Sequence, residues 1–287
     1  METQSRTAGT LTLAFILAGL AGCRTPQPEP TPRRSWTMNS RPDPVAPPAT
    51  LPRPVVPARP EGEWRTFGQS VDGRPLRLFE LPGSGPTTLI FAGIHGSEPE
   101  GTELADRLIA LITDLPEIVD GGHVVIIPAA NPDGLAHGRR TNAHGVDLNR
   151  NFPAANWVSN IMNPEYHPGP SPASEPESRA LIELVGTPQP DAVVSIHSIS
   201  RGRECNNYDG PAERLARAMA AGNGYPVRPS IGYPTPGSFG NWAGVDIGIP
   251  TVTLELPRGG NPDTLWAQNR DALLAVVRNG QTAAIGR

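Results

Sequence analysis

The stretch LIFAGIHGSEPEG, residues 89–101, carries an apolar run directly into His95, and Glu98 follows three positions later. A second histidine, His197, closes another apolar run, DAVVSIHS. Two imidazoles and one carboxylate form the donor set of a catalytic zinc, whose fourth position stays open for water. Zinc held that way would lower the pKa of the water toward ~7 and polarise a carbonyl. Singly, each residue also fits an ordinary role. A His-x-x-Glu pair arises often by chance, Glu98 suits the first turn of a helix, and His197 suits a hydrogen bond inside a core.

The tract RRTNAHGVDLNRNFPAANW, Arg139 to Trp157, is far too polar for a core strand. Its guanidinium and amide groups are planar and suit bidentate recognition of a carboxylate. A later tract, HSISRGRECNNYDGPA, begins at His197 and carries Arg201, Arg203, Asn206 and Asn207. It fits two descriptions equally: contacts to the carboxylates of a ligand, or a surface loop whose arginines are solvated.

The elements that must position these groups follow from periodicity. WRTFGQSVDGRPLRLFEL has two short apolar-rich runs around Asp72-Gly73, a hairpin signal. TTLIFAGI, HVVIIPAA, DAVVSIHS and TVTLELP are apolar runs of strand length. Between and after them lie helix-period segments, at about Pro99 to Leu115, from near Ser174, over PAERLARAMAAGNG, and over PDTLWAQNRDALLAVVRNG. Continuous apolar strands alternating with helices predict a single α/β/α domain around a mostly parallel or mixed central sheet. In such sheets ligands sit at the carboxyl ends of the strands. His95, the NPDG tetrapeptide, His197 and Glu255 all fall at or near the ends of the apolar strands.

The whole chain adds bounds. It has 287 residues and a formal charge of -4, so one sizeable core is enough and no basic face for nucleic acid is indicated. Its Lys-plus-Arg total is all arginine, which excludes lysine-based Schiff-base and Walker-type chemistry. LTLAFILAGLAGC is an apolar run of signal-peptide length, too short for a comfortable membrane span. Leu20-Ala21-Gly22-Cys23 resembles the bacterial lipoprotein box, which implies removal of residues 1–22 and lipidation of Cys23. An ordinary signal peptide with a chance cysteine is the alternative. Residues 23–60 are dominated by proline and predict an extended tether, able to span on the order of 100 Å in polyproline geometry. The folded part is then 61–287, with Cys205 as its only cysteine and no intrachain disulfide.

Taken in order, HGSE, NPDG, GVDLNRNF, SIHS and TLEL resemble the zinc carboxypeptidase family. RTNAHGVDLNRNFPAANW, SEPE and GYPTPGSFGNW are similar to its bacterial murein peptide amidase branch, which cuts γ-D-glutamyl–meso-diaminopimelate bonds. The resemblance implies one Zn2+ per chain on His95, Glu98 and His197. It implies Glu255 as the general base that activates the attacking water and later protonates the leaving amine. By the same resemblance Arg140 stabilises the oxyanion, with Arg139 a solvated neighbour, and Asn149 and Arg150 hold the substrate's free α-carboxylate. Tyr233 matches the capping tyrosine, and Gly240 falls where the leaving residue's side chain is read. A glycine there excludes a charge partner and leaves room for a long polar group.

Asp147 and Asn151 read as structural groups bonding the turn, and Cys205 as a small packing residue. His123, His137, His144 and His167 fit turns and loops. The partners implied are peptidoglycan-derived peptides and, through the lipid anchor, a membrane. That places the protein in the bacterial cell envelope, on the outer membrane and facing the periplasm. Two other functions fit the chain: a zinc deacylase of N-acyl amino acids, and an inactive peptidoglycan-binding lipoprotein.

Overall fold

The computed structural model describes residues 61–186 and 188–284, with the side chains from 279 onward left aside. The signal peptide, Cys23 and the tether expected over residues 1–60 lie outside the described residues. No helix among the described residues is long and apolar enough to cross a membrane.

The domain is built on one eight-stranded sheet ordered β1-β2-β4-β3-β5-β8-β6-β7. Strands β1 (Glu63–Gln69) and β2 (Pro75–Leu81) form the expected hairpin about Asp72-Gly73, with Gly73 at φ +78° where a side chain would be strained. The centre is parallel: β4 (His123–Ile127), β3 (Thr87–Ala92), β5 (Ala192–Ile199) and β8 (Thr251–Pro257) run side by side. Both faces of these strands are covered, which is why their sequences are apolar runs instead of alternations.

One face buries Ile90, Val194, Ile196, Leu254 and Leu256 under helices α1 (Glu100–Asp114), α4 (Glu213–Asn223) and α5 (Pro262–Ala284). The other buries Leu89, Phe91, Val193, Phe152, Phe239 and Trp242. It is covered by α3 (Pro176–Gly186) and by a π-helical turn at Gly240–Asp246. Helix α3 starts two residues later than the Ser174 expected. The Ser174 hydroxyl instead donates to Glu175 Oε1 and accepts from Asn151 Nδ2.

The tract from His197 fits a surface loop over residues 199–210 by its polarity, and here the structure differs. Cys205–Asp209 is strand β6, antiparallel to β8 and flanked by β7 (Val227–Arg228). The polar CNNYD escapes a hydrophobicity-based reading because its pairing partners, not its composition, make it a strand. Also unforeseen was α2 (Pro132–His137), which Asn131 caps by accepting from the Gly134 N–H at 2.8 Å. His123 opens strand β4 and bonds Thr87 and Glu80, so it is not a loop residue.

Candidate active site

Three of the expected ligands meet at the carboxyl edge of the parallel strands. His95 and Glu98 lie in the turn between β3 and α1, closed by the Glu98 N–H donating to the His95 carbonyl at 3.1 Å. His197 is the sixth residue of β5, next to β3. Its Nδ1 lies 3.2 Å from His95 Nδ1 and 3.2 Å from Glu98 Oε2, and His95 Nδ1 lies 3.2 Å from Glu98 Oε1. All three residues are buried, and their ligand atoms lie within 4.8 Å of one another. This donor set and its convergence fit a zinc ion. Burial opposes the Glu98 charge, yet the two imidazoles outweigh it and hold the carboxyl well below its usual range.

Asp147 does more than bond its own turn. It accepts from the Asn149 N–H, sits 3.1 Å from His95 Nε2, and takes Arg140 Nε and Nη2 at 2.9 and 2.8 Å. The His95 ring is thereby oriented with Nδ1 toward the cluster, the carboxylate–histidine arrangement that fixes a metal-binding imidazole. Asp147 is fully buried; desolvation raises its pKa, but His95 and Arg140 more than offset this and hold the carboxyl strongly depressed. The turn itself is anchored from α3. Asn142 donates to Glu175 and Glu177 at 2.8 and 3.1 Å while accepting from the His144 and Val146 N–H groups.

Glu255 stands opposite His197 in β8 and opposite Cys205 in β6, so it occupies the same rung as the metal cluster. Burial pushes its carboxyl up, against the pull of His197. The same burial raises the Cys205 thiol to about 11, which leaves that residue a packing group.

His95, Glu98, His197 and Glu255 line one cavity of about 860 Å³, together with Arg139, Arg140, Asn149, Arg150, Tyr166, Arg203, Tyr233 and Arg258. The guanidiniums of Arg140 and Arg150 lie 4.9 and 5.6 Å from the Tyr166 ring centre. Arg150 is buried, and burial depresses its pKa. It forms no ion pair among the described residues, and one of its bonds goes to the Asn149 carbonyl. The Asn149 Oδ1 accepts from the Phe239 N–H, which leaves Nδ2 to donate. Arg258, which the sequence reading passed over, reaches Glu98 Oε1 at 3.1 Å and the Ser198 carbonyl at 2.9 Å.

Gly240 needs correction. The space beyond it is not open: a Cβ there would collide with Asp209 Oδ2. The charge that a glycine seemed to exclude comes from another element. Cys205, Asn207 and Asp209 share one face of β6, so Asp209 lies two rungs inside from Glu255. Its carboxylate has no hydrogen bond or ion pair among the described residues, and burial alone raises its pKa to about 6. On the intervening rung, Ser195, Thr253 and Asn207 stand in register, and Ser195 Oγ and Asn207 Oδ1 are buried without partners. The signal available in the sequence was the period-2 polarity of Cys205, Asn207 and Asp209. It becomes legible only once the segment is known to be a strand.

Of the ambiguous tract from His197, Arg201 donates to the carbonyls of Arg258 and Gly259, and Asn206 pairs with Asn223 and the Tyr225 carbonyl. Both are structural. Arg203 alone among the four tract residues Arg201, Arg203, Asn206 and Asn207 lines the cavity.

Residues 62–276 match the family model described as zinc carboxypeptidase. Murein peptide amidase A of Escherichia coli K12 is 38% identical over 220 residues, covering 72% of this chain and 86% of that protein. The Vibrio campbellii protein of the same name is 33% identical over 228 residues, covering 75% and 87%. Among solved structures, murein-tripeptide amidase MpaA from E. coli O157 superposes with a TM-score of 0.61 at 33% identity, over 79% of this chain and 96% of that one. Bovine thrombin-activatable fibrinolysis inhibitor shares the fold, with a TM-score of 0.68 at 21% identity over 79% and 92%.

Proposed function

The chain belongs to the zinc carboxypeptidase family, and from that premise we propose that it hydrolyses the γ-D-glutamyl–meso-diaminopimelate amide of peptidoglycan peptides. His95, Glu98 and His197 would hold one zinc ion, which when bound supplies the Lewis acidity that polarises the scissile carbonyl. Glu255 takes the proton of the attacking water and returns it to the leaving amine; its burial suits a base that must also act as an acid. Arg140, steered by Asp147, donates to the oxyanion that develops on the carbonyl. Asn149 Nδ2 and the unpaired Arg150 guanidinium receive the α-carboxylate of the leaving residue. Tyr233, 47% exposed on the cavity wall, would cap the bound peptide.

One observation narrows the leaving residue to one with a cationic far end. Asp209 is an unpaired, half-buried carboxylate behind Gly240, and such a group calls for a cation. The far end of diaminopimelate brings an ammonium there. The similarity to the murein peptide amidases supports the same reading.

The test uses L-Ala-γ-D-Glu-meso-diaminopimelate beside a peptide ending in 2-aminopimelate, which lacks only the far amine, each with and without chelator. Chelator-sensitive release that strongly favours diaminopimelate is expected. Equal release from both would leave a carboxypeptidase without this specificity. Release from neither, alongside cleavage of N-acyl amino acids, would overturn the proposal in favour of a deacylase.

For residues 1–60 the sequence features support a lipoprotein signal, lipidated Cys23 and a tether, placing the catalytic domain in the cell envelope on the periplasmic side of the outer membrane. Metabolic labelling with a fatty acid, lost in Cys23→Ser, checks the anchor. Labelling that persists in the variant would refute it.

A further inference from the structure

The active-site cavity holds more arginine than a carboxypeptidase reaction consumes. Arg140 is paired with Asp147, and Arg258 with Glu98. Arg150 faces the leaving residue. That leaves two exposed arginines on the cavity wall without an ion pair among the described residues, Arg139 and Arg203, and the one whose guanidinium is held by a second element is Arg203. One of its Nη2 protons goes to the Ile231 carbonyl at 2.8 Å. This single bond steadies the guanidinium against the segment that carries Tyr233 while leaving the rest of its donor fork open.

The position of Arg203 along the sheet fixes which part of a substrate it meets. Strand β6 begins at Cys205, level with Glu255, and runs antiparallel to β8. Asp209 therefore lies inward of the catalytic rung and Arg203, two residues before β6, lies outward of it, level with the carboxyl end of β8. The function proposed above seats the leaving residue on the inward side, toward Asp209, with its α-carboxylate on Asn149 and Arg150. The acyl residue must extend outward, past Ser198 to Ser200 and toward Arg203, all of which line the cavity.

We propose that Arg203 is the receptor for a free carboxylate on the acyl residue, and that it makes the enzyme selective for a γ-linked glutamyl group. The inference rests on the function proposed above. In an ordinary α-peptide the acyl residue has its α-carboxyl committed to the scissile bond. When glutamate is joined through its side chain, the α-carboxylate is left free, a short methylene arm from the scissile carbonyl. An arginine fork on the outward wall matches that geometry. With Asp209 behind Gly240 on the inner side and Arg203 on the outer wall, the site would read a cation on one side of the cut and an anion on the other.

The experiment compares L-Ala-γ-D-Glu-meso-diaminopimelate with the L-Ala-4-aminobutyryl analogue, identical except for the missing α-carboxylate. The zinc-loaded full chain, Arg203→Gln, Arg203→Lys and Arg139→Gln are each assayed for diaminopimelate release. The wild type is expected to prefer the glutamyl peptide by ~10-fold or more in kcat/KM, corresponding to one charge-assisted hydrogen-bonded pair. Arg203→Gln should abolish that preference, mainly through KM for the glutamyl peptide, and should change the aminobutyryl rate far less. Arg203→Lys should retain part of the preference, and Arg139→Gln all of it. An equal loss on both peptides in Arg203→Gln would show that Arg203 only holds the Ile231 backbone, and the inference falls. Transfer of the effect to Arg139→Gln overturns it as well. Equal wild-type rates on the two peptides remove this inference and leave the proposed function standing; release from neither removes both.

Discussion

Asp209 shows at the scale of single residues how a site is traded against stability. Burial lifts its carboxyl to about 6, above the ordinary aspartate value of 3.8. Between those values the folded protein holds a proton that the unfolded chain has released, so stability falls as pH rises through this window and then levels off. Asp209→Asn is therefore expected to raise the unfolding free energy at pH 8 by at most about 3 kcal/mol and to give no gain below pH ~3.5. Urea unfolding at the two pH values checks this. The same variant should lose its preference for diaminopimelate over 2-aminopimelate. In the wild type that preference should fade as pH drops through about 6 and the carboxylate is neutralised. Glu255 offers a second expectation. Glu255→Gln removes a proton acceptor that is not in the metal donor group, so kcat should fall by ~10²–10⁴ while bound zinc, measured by elemental analysis, stays at one per chain. Loss of zinc in that variant would mean that Glu255 belongs to the donor set.

Among the elements, the turn from β3 to α1 is positioned by close backbone contact as much as by side chains. Gly96 lies between the two ligands His95 and Glu98, and a Cβ on it would collide with the backbone of Gly134 and Leu135 in α2. Backbone cannot swing aside as a flexible side chain can. Gly96→Ala should push the turn off α2 and spread His95 from Glu98, weakening zinc binding at least ~10-fold, since misplaced ligands lose affinity steeply. Competition against a chromophoric chelator measures it, and unchanged affinity would show that the turn is free to move. The π-helical turn at Gly240–Asp246 acts similarly, because Gly240 and Gly244 both ride on Asp209. A run reading GNWAG in sequence thus has its glycines explained by one residue more than thirty positions earlier, Gly240 by the Asp209 carboxylate and Gly244 by its Cβ and backbone.

For the whole molecule, the candidate metal site ties the ends of two neighbouring parallel strands, with His95 and Glu98 beyond β3 and His197 on β5. A ligand that binds only the folded state stabilises it by mass action, about 2.7 kcal/mol at a free concentration 100-fold above Kd. For a domain of this size that corresponds to a rise in Tm of roughly 5–10 °C. Stripping the full chain with chelator should lower Tm by that order, and restoring zinc should recover it. An unchanged Tm would mean that no ion bridges the strands.

Much of this architecture was open to reading from the chain. The hairpin, the four central strands and the major helices follow from local hydrophobic period, and α1 begins and ends within a residue of its expected limits. The candidate metal ligands were legible because strand ends in a parallel sheet converge at one edge, and two histidines with an acid are a recognisable donor type. What the tertiary structure alone decided depends on strand order. Placing β6 beside β8, with β8 inserted between it and β5, brings Cys205 level with Glu255, sets Asp209 behind Gly240 and turns Arg203 onto the outer wall. Asp147 joins His95 and Arg140 across loops that share no period. Local periodicity reports which face of an element is apolar, and it carries no record of which elements become neighbours. Partnerless charges such as Asp209 and Arg203 are a property of that neighbourhood, so the fold had to be assembled before they could be seen.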